Sequence, residues 1–332
     1  YLAAIYCPSK PADAKAGAGR TVGIAWVELS SGAFYTMAAP AATMMDELVR
    51  IAPAEVLVAD GGELDTPIFR QNLTQSVSAS ATARPPWAFD AHAATKNLTD
   101  HFHSRSLEGF GFDGWDESVS AAGAVIEYLT ETQKTTLSHI TQLRRFDRRD
   151  HMVIDGNTLR CLEVHRTLRT NQRSGSLLAC VDRTCTGMGA RLLERWLTFP
   201  LTGYSSILAR QDAIEELTGD RARLGELREL LQAASQIDRI ATAVALGRVR
   251  PRELVALGQT LRLLPRIAAL LGACRSDLLA TLPADLGGLD GPADLVERVI
   301  DGDCPNVLRD GGVIATGFHE DLDRLRRIGH DG

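Results

Sequence analysis

Apolar residues recur with a helical period at Met188, Leu192 and Trp196, with Leu193 and Leu197 on the adjoining stripe. That spacing predicts a helix with one broad apolar face. Thr184 or Thr186 can cap it through a hydroxyl oxygen. Glu194, with Arg191 and Arg195, is expected on the wet face. Pro200 biases Phe199 out of the helical region and stops the helix. Ser205 or Ser206 can cap a second helix carrying Ile207, Leu208, Ile214 and Leu217. Two helices joined by a short turn predict a helical hairpin.

Upstream, the pattern changes to short apolar runs. Leu2 to Tyr6 reads as a strand, and Val22 to Leu29 as a second. Ser30-Ser31-Gly32 can turn the chain, and Ala33-Phe34-Tyr35 returns as a third. Lys10 to Arg20 is rich in Ala, Gly and Pro and predicts a loop. Met44 to Ile51 suits a short helix. Glu55 to Ala59 is a compact apolar strand ending at Asp60-Gly61-Gly62. Residues 62–110 read as irregular and turn-rich. Val119 to Gln133 has helical spacing in Val119, Ala122, Ile126 and Leu129. Strands alternating with helices predict a small α/β sheet with helices against it.

Downstream of the central stretch the chain reads as almost all helical. Arg221 to Gln232 carries Leu224, Leu227, Leu230 and Leu231, and Ile237 opens a helix that reaches Leu246. Pro251 suits a first helical position. Leu254, Leu257, Leu261 and Leu264 form a packing seam, and Pro265 is expected to kink or end it. Residues 283–291 read as a linker, and Pro292 to Ile300 as a short helix.

Composition narrows the class. The 332 residues are 45 % hydrophobic and 23 % charged, an ordinary globular balance in a chain long enough for two domains. No uninterrupted apolar run reaches the ~18 residues of a membrane span, so no membrane partner is expected. Six cysteines (Cys7, Cys161, Cys180, Cys185, Cys274 and Cys304) form no Cys-x-x-Cys pair. The spacing suggests reduced, mostly buried thiols and a cytoplasmic protein. Tyr1 is not an initiator Met, shows no secretory leader, and reads as the inside of a strand, so the chain is expected to start mid-protein.

The net charge of −6 hides a split. Residues 1–140 hold 9 Lys/Arg against 16 Asp/Glu; residues 141–332 hold 27 against 26. The acidic first part is a poor nucleic-acid surface, and any DNA contact must be local. Arg144, Arg145, Arg148 and Arg149 are the local basic cluster, beside Asp147 and Asp150. Four arginines can clamp phosphates; they can also form a solvated interdomain face with local ion pairs. Other chemistry is thin. No Gly-x-x-x-x-Gly-Lys-Ser/Thr occurs around Lys10, Lys15, Lys96 or Lys134, so no ATP hydrolysis is expected of this chain. His101 and His103 read as solvent-facing. No catalytic, cofactor-binding or metal-ligating constellation emerges.

The central stretch is similar to the core domain of the MutS family of DNA mismatch-recognition proteins. The resemblance rests on Asp182-Arg183-Thr184, Thr186, Met188-Gly189, Arg191, Trp196 and Pro200, continuing through Arg210-Gln-Asp-Ala213. These are read as structural residues of the core. Gly187 departs from the pattern, where Pro is usual. Met152 to Glu163 resembles the start of that core, with Cys161 where Asn is usual. Asp238-Arg239 and Pro251-Arg-Glu-Leu254 also match. Upstream, Tyr1-Leu-Ala-Ala-Ile5, Leu29-Ser-Ser-Gly-x-Phe34 and Ala121-Ala-Gly-Ala124 resemble the family's connector domain.

The resemblance implies an α/β, RNase H-like connector over 1–135. A mostly α-helical core and lever domain over 136–332 follows, truncated before the clamp. It implies a homodimeric parent that binds mismatched double-stranded DNA. That parent would use ATP and Mg at a distant site, recruit a MutL-type partner through the connector, and associate with the nucleoid. This chain would transmit state between the two ends and needs no cofactor of its own. Phe318 and Glu320 imitate the family's mismatch-reading Phe-x-Glu, but that motif belongs upstream of Tyr1. Two other readings compete. One is a stand-alone helical interaction module without DNA discrimination. The other is a metal-dependent nuclease on the RNase H-like sheet, with Glu28, Asp60, Asp113 and Asp116 as its scattered candidate carboxylates.

Overall fold

The computed structural model describes residues 1–8, 20–133 and 137–330. The predicted loop lies outside them but for Arg20. The chain forms two compact units. The first is Tyr1–Asp182 with Leu193–Thr202; the second is Arg183–Leu192 with Gly203–Gly332. A strand at Leu143–Arg145, past position 135, also joins the sheet of the first unit.

That sheet has six strands: β1 (Leu2–Tyr6), β2 (Thr21–Glu28), β3 (Ala33–Pro40), β4 (Glu55–Ala59), β5 (Ser80–Arg84) and β6 (Leu143–Arg145), ordered β5-β4-β1-β2-β3-β6. The β1–β2 and β2–β3 pairs are antiparallel; β1–β4, β4–β5 and β3–β6 are parallel. The β2–β3 hairpin turns on Ser30 and Ser31, whose hydroxyls donate to the Glu28 carboxylate at 2.9 Å. Gly32 has φ +71°, and a Cβ there would lie 2.2 Å from the His139 carbonyl oxygen. Only glycine fits that turn.

Alternate side chains feed two cores, as a pleated strand requires. Leu2, Ala4, Val27, Phe34 and Leu57 pack with α3 (Ala91–His101) and α4 (Glu117–Gln133). Ala3, Ile5, Ile24, Trp26 and Met37 pack with α1 (Met44–Ile51) and α2 (Pro67–Ser76). The sheet is thus covered on both faces. Residues 62–110 are not irregular: α2, β5 and α3 lie there. Thr66 caps α2 by accepting from Phe69 N, and Asp90 caps α3 by accepting from His92 N and Ala93 N. Both helices bury few apolar residues, so their periodicity is weak beside their capping signals.

Short helices α5 (Gly156–Cys161) and α6 (Leu177–Val181) close the first unit, and α7 runs over Gly187–Thr198. The second unit is built from α8 (Tyr204–Gly219), α9 (Arg221–Ala233), α10 (Ile237–Ala245), α11 (Pro251–Gly272), α12 (Asp277–Ala280), α13 (Asp290–Val299) and α14 (Glu320–His330). Its core joins Ala213, Leu227, Leu230, Leu261, Leu264, Ile267, Leu271 and Ala293. Helix α11 is the hub, packed on α9, α10 and α13. It is the one helix among the described residues long and apolar enough to cross a membrane by length and composition; its leucine seam lies in this core instead.

Several local expectations need correction. Pro265 does not end α11, because buried Leu261, Leu264, Ile267 and Leu271 hold the helix on both sides of the missing N–H. Gly203, not Ser205 or Ser206, occupies the cap position of α8. Within the second unit α8 packs on α9 and α12. Leu192 is 47 % and Ile214 57 % exposed, so neither apolar face is fully covered. Only Cys274 and Cys304 are buried; Cys161 and Cys180 are exposed, since each sits on a short helix with little face to bury.

Candidate functional site

The arginine cluster begins on an edge strand. Leu143 is buried opposite Phe34, and Phe146 is buried three residues on. The intervening Arg144 and Arg145 therefore stay at the surface. Arg144 donates to Gln142 Oε1 at 3.0 Å. Arg145 donates to the Gly111 carbonyl and to Asp116 Oδ2, both at 2.9 Å, with its guanidinium 5.3 Å from the Phe112 ring centre. Arg149 forks onto Asp147, with contacts of 2.7 to 3.1 Å. The Arg149 hydrogen bonds hold the Asp147 carboxyl down to about 2. Arg148 turns inward, its Nε 2.9 Å from Glu47 Oε1. Arg145, Arg148 and Arg149 line one cleft of about 590 Å³ that Asp113 and Asp147 also line. Its positive charge is therefore largely matched by local carboxylates. Arg144 does not line it.

Glu47 is the residue the sequence pattern concealed. It is 1 % exposed and also accepts from Arg50 Nη1 at 3.0 Å. Arg50 donates to the Met152 carbonyl and lies 4.4 Å from the Phe199 ring centre. Burial pushes the Arg50 guanidinium below its usual value. One signal was available: Met44, Leu48 and Ile51 mark the buried stripe of α1, and position 47 falls on it. A carboxylate there demands a buried cation.

The core-pattern residues do several separate jobs. Asp182 accepts from Arg173 at 2.8 Å and ends α6. The Arg183 carbonyl accepts from Arg228 Nη1 at 3.0 Å. Thr186 is the hydroxyl that caps α7, accepting from Gly189 N at 2.9 Å. Thr184 lies beside Gly189, whose position leaves little room for a side chain. Met188 is half-buried. Arg191 pairs with Asp238 and reaches Gln236. Trp196 and Arg210 are half-buried in α7 and α8. The Pro200 carbonyl accepts from Met152 N at 2.7 Å. These residues belong to both units.

The carboxylates proposed for a nuclease are likewise dispersed in role. Glu28 holds the hairpin turn. Asp116 caps α4 through Ser118 N and pairs with Arg145. Asp113 lines the arginine cleft. Asp60 follows β4, its N–H donating to the Arg84 carbonyl. Among the described residues no three His, Cys, Asp or Glu stand together as a metal site. Phe318 and Glu320 sit at the start of α14, both exposed.

His103 is exposed, but His101 is not solvent-facing. Its Nε2 lies 2.8 Å from the Ile140 carbonyl, and half-buried His139 keeps both ring nitrogens out of solvent without a hydrogen-bond partner. Burial pushes both rings below the ordinary histidine value. As pH falls below about 6.5 the unfolded chain therefore binds more protons than the folded one. Stability should be full above that pH and decline as pH falls toward the depressed folded values. Thermal melts at about pH 7.5 and about pH 5.5 test this. The His101→Gln/His139→Asn double variant should show a clearly smaller difference between the two; an unchanged difference would contradict the assignment.

Comparison with known proteins places these features. The sequence pattern of MutS domain II matches residues 1–141, and that of MutS domain III matches residues 157–328. A DNA mismatch repair protein MutS from Myxococcus xanthus is 39 % identical over 312 residues, covering 93 % of this chain and 35 % of its own length. Another, from Rhodopirellula baltica, is 37 % identical over 343 residues, covering 100 % of this chain and 38 % of itself. A third, from Chlorobaculum parvum, is 34 % identical over 314 residues, 95 % of this chain and 35 % of its own. The chain spans about a third of the length of these curated relatives. With both domain patterns matched in order along most of its length, the chain belongs to the MutS family.

Proposed function

We propose that these residues form the connector and core of a mismatch-repair protein. Residues 1–135 act as the connector and residues 136–332 as the core leading to the lever. The observation that carries the reading is the consecutive match to two MutS domains, supported by relatives named as mismatch repair proteins. In this reading the chain does no chemistry of its own. It links a DNA-reading end to an ATP- and Mg-binding end of a homodimer, and helices with alternative packings suit that task. Mismatched duplex DNA is the ligand of the whole protein. A MutL-type partner docks on the connector, and the protein works in the cytoplasm on the nucleoid. Arg144 and Arg149, both exposed and neither turned toward the sheet's core, are the side chains assigned to touch a phosphate backbone.

The coding DNA on either side of Tyr1 and Gly332 tests this assignment. An upstream domain with a Phe-x-Glu motif and a downstream Gly-x-x-x-x-Gly-Lys-Ser/Thr loop are expected. A reading frame that starts just before Tyr1 and stops just after Gly332 would contradict the role.

A further inference from the structure

A cavity of about 400 Å³ opens in the first unit between α3, the Arg105–Glu108 segment and the Phe112–Trp115 segment. That volume lies within the ~300–1,000 Å³ usual for small-molecule sites. It shares Asp113 with the arginine cleft and differs from it in its threonine and aromatic walls.

Helix α3 presses Ala94 and Leu98 into the core and gives the cavity Thr95, Lys96 and Thr99. The Thr95 hydroxyl donates to the Ala91 carbonyl at 2.8 Å, and the Thr99 hydroxyl to the Thr95 carbonyl at 3.0 Å. Both hydroxyl protons are therefore engaged, and the oxygens offer lone pairs. Lys96 and Arg105 are exposed, and neither has an ion pair among the described residues. Glu108 and Asp113 also line the cavity, so its fixed charges balance.

The opposite wall is aromatic. Trp115 Nε1 donates to Ser120 Oγ at 3.1 Å, and the indole meets Tyr6 edge-on with ring centres 6.4 Å apart. Its one donor is spent and its orientation is held, yet 41 % of the residue remains exposed. What it offers a ligand is a ring surface. Phe112, 2 % exposed, supplies apolar floor.

A ligand that meets every wall needs three parts. It needs a flat ring for Trp115, an anionic group for Lys96 and Arg105, and N–H donors for the threonine and carboxylate oxygens. A bare anion would face Glu108 and Asp113 with nothing to donate. A bare ring would leave both cations unmatched. We propose that this cavity binds a mononucleotide with an amino-bearing base, the ring on Trp115 and the phosphate on Lys96 and Arg105. Neither the domain matches nor the names of the relatives assign such a site.

Isothermal titration of the 332-residue chain with deoxyadenylate, deoxyadenosine and inorganic phosphate tests it. Deoxyadenylate should bind saturably at one site, and the other two ligands at least about tenfold more weakly. The Lys96→Gln/Arg105→Gln double variant should weaken deoxyadenylate by at least about tenfold, the loss of charge-assisted contacts, and leave deoxyadenosine unaffected. Trp115→Leu should cost about tenfold through lost stacking. Trp87→Leu, which removes an exposed tryptophan outside the cavity, should change nothing. The lysine and arginine side chains are at the surface, so the double variant should fold even where Trp115→Leu does not. Absence of saturable deoxyadenylate binding, equal binding of inorganic phosphate, or full affinity in the double variant would overturn the proposal.

Discussion

Replacing Glu47 by alanine should destabilise the first unit by about 3–5 kcal/mol, the cost of leaving a buried charge without its partner. Glu47 is the shared ion-pair partner of Arg50 and Arg148, and the Glu47 and Arg50 side chains are almost fully buried. Without the carboxylate, two guanidinium groups stay under α1 with no counter-charge between them. The Phe199 ring and the Met152 carbonyl remain against Arg50, but they carry no net charge. Glu47→Gln should cost less, because the amide oxygen still accepts a hydrogen bond. Urea unfolding of the full chain measures both. A loss below about 1 kcal/mol for Glu47→Ala would mean that water already screens the group, as at a surface pair.

The second large effect is expected at Gly123. Its position on α4 faces Ala94 of α3, and a Cβ there would lie 2.4 Å from both the Ala94 Cα and Cβ. Ala94 is fully buried, so the helices must part for Gly123→Ala to fit. Helix propensity alone favours the substitution by about 1 kcal/mol, and overpacking should outweigh it. The net loss should be about 2 kcal/mol. Gly225 is the control. It lies in α9 with nothing within 4 Å of its added Cβ, so Gly225→Ala should raise stability by about 0.5–1 kcal/mol. Opposite signs at the two glycines are the expected result. Gain at both would show that α3 and α4 are less tightly packed than the contact implies.

These two positions also show what a sequence reveals and what it hides. The strands Leu2–Tyr6 and Glu55–Ala59 and helix Met44–Ile51 were legible because short apolar runs and a three-four spacing mark them directly. The strand order was not, since β1 and β4 show apolar runs whichever neighbour they pair with. Residues 62–110 were missed for a related reason: α2 and α3 each bury only two side chains, too few for a period. Their capping residues, Thr66 and Asp90, were the better signal. Pro265 misled in the other direction, because a local breaker rule met a seam already fixed by tertiary contacts.

For the candidate site, charge could be counted but pairing could not. Arg144, Arg145, Arg148 and Arg149 form one cluster in sequence. In space three of them line one cleft, but their partners differ: Arg148 turns toward buried Glu47, and Arg145 crosses to Asp116. Those partners lie on α1 and at the cap of α4, and no spacing rule joins them to the cluster. The core pattern from Asp182 to Pro200 identified the family, yet its side chains turned out to be caps, turn acceptors and ion-pair partners.

A mismatch-sensing role for these residues stands or falls on the affinity of the protein expressed from the complete reading frame for a duplex with one mispair and for the same duplex fully paired. Both must be measured at one salt concentration, because phosphate contacts make affinity salt-dependent. Tighter binding to the mispaired duplex is expected, with a change in that preference on adding ATP. Equal affinity for the two duplexes, with and without ATP, would contradict it.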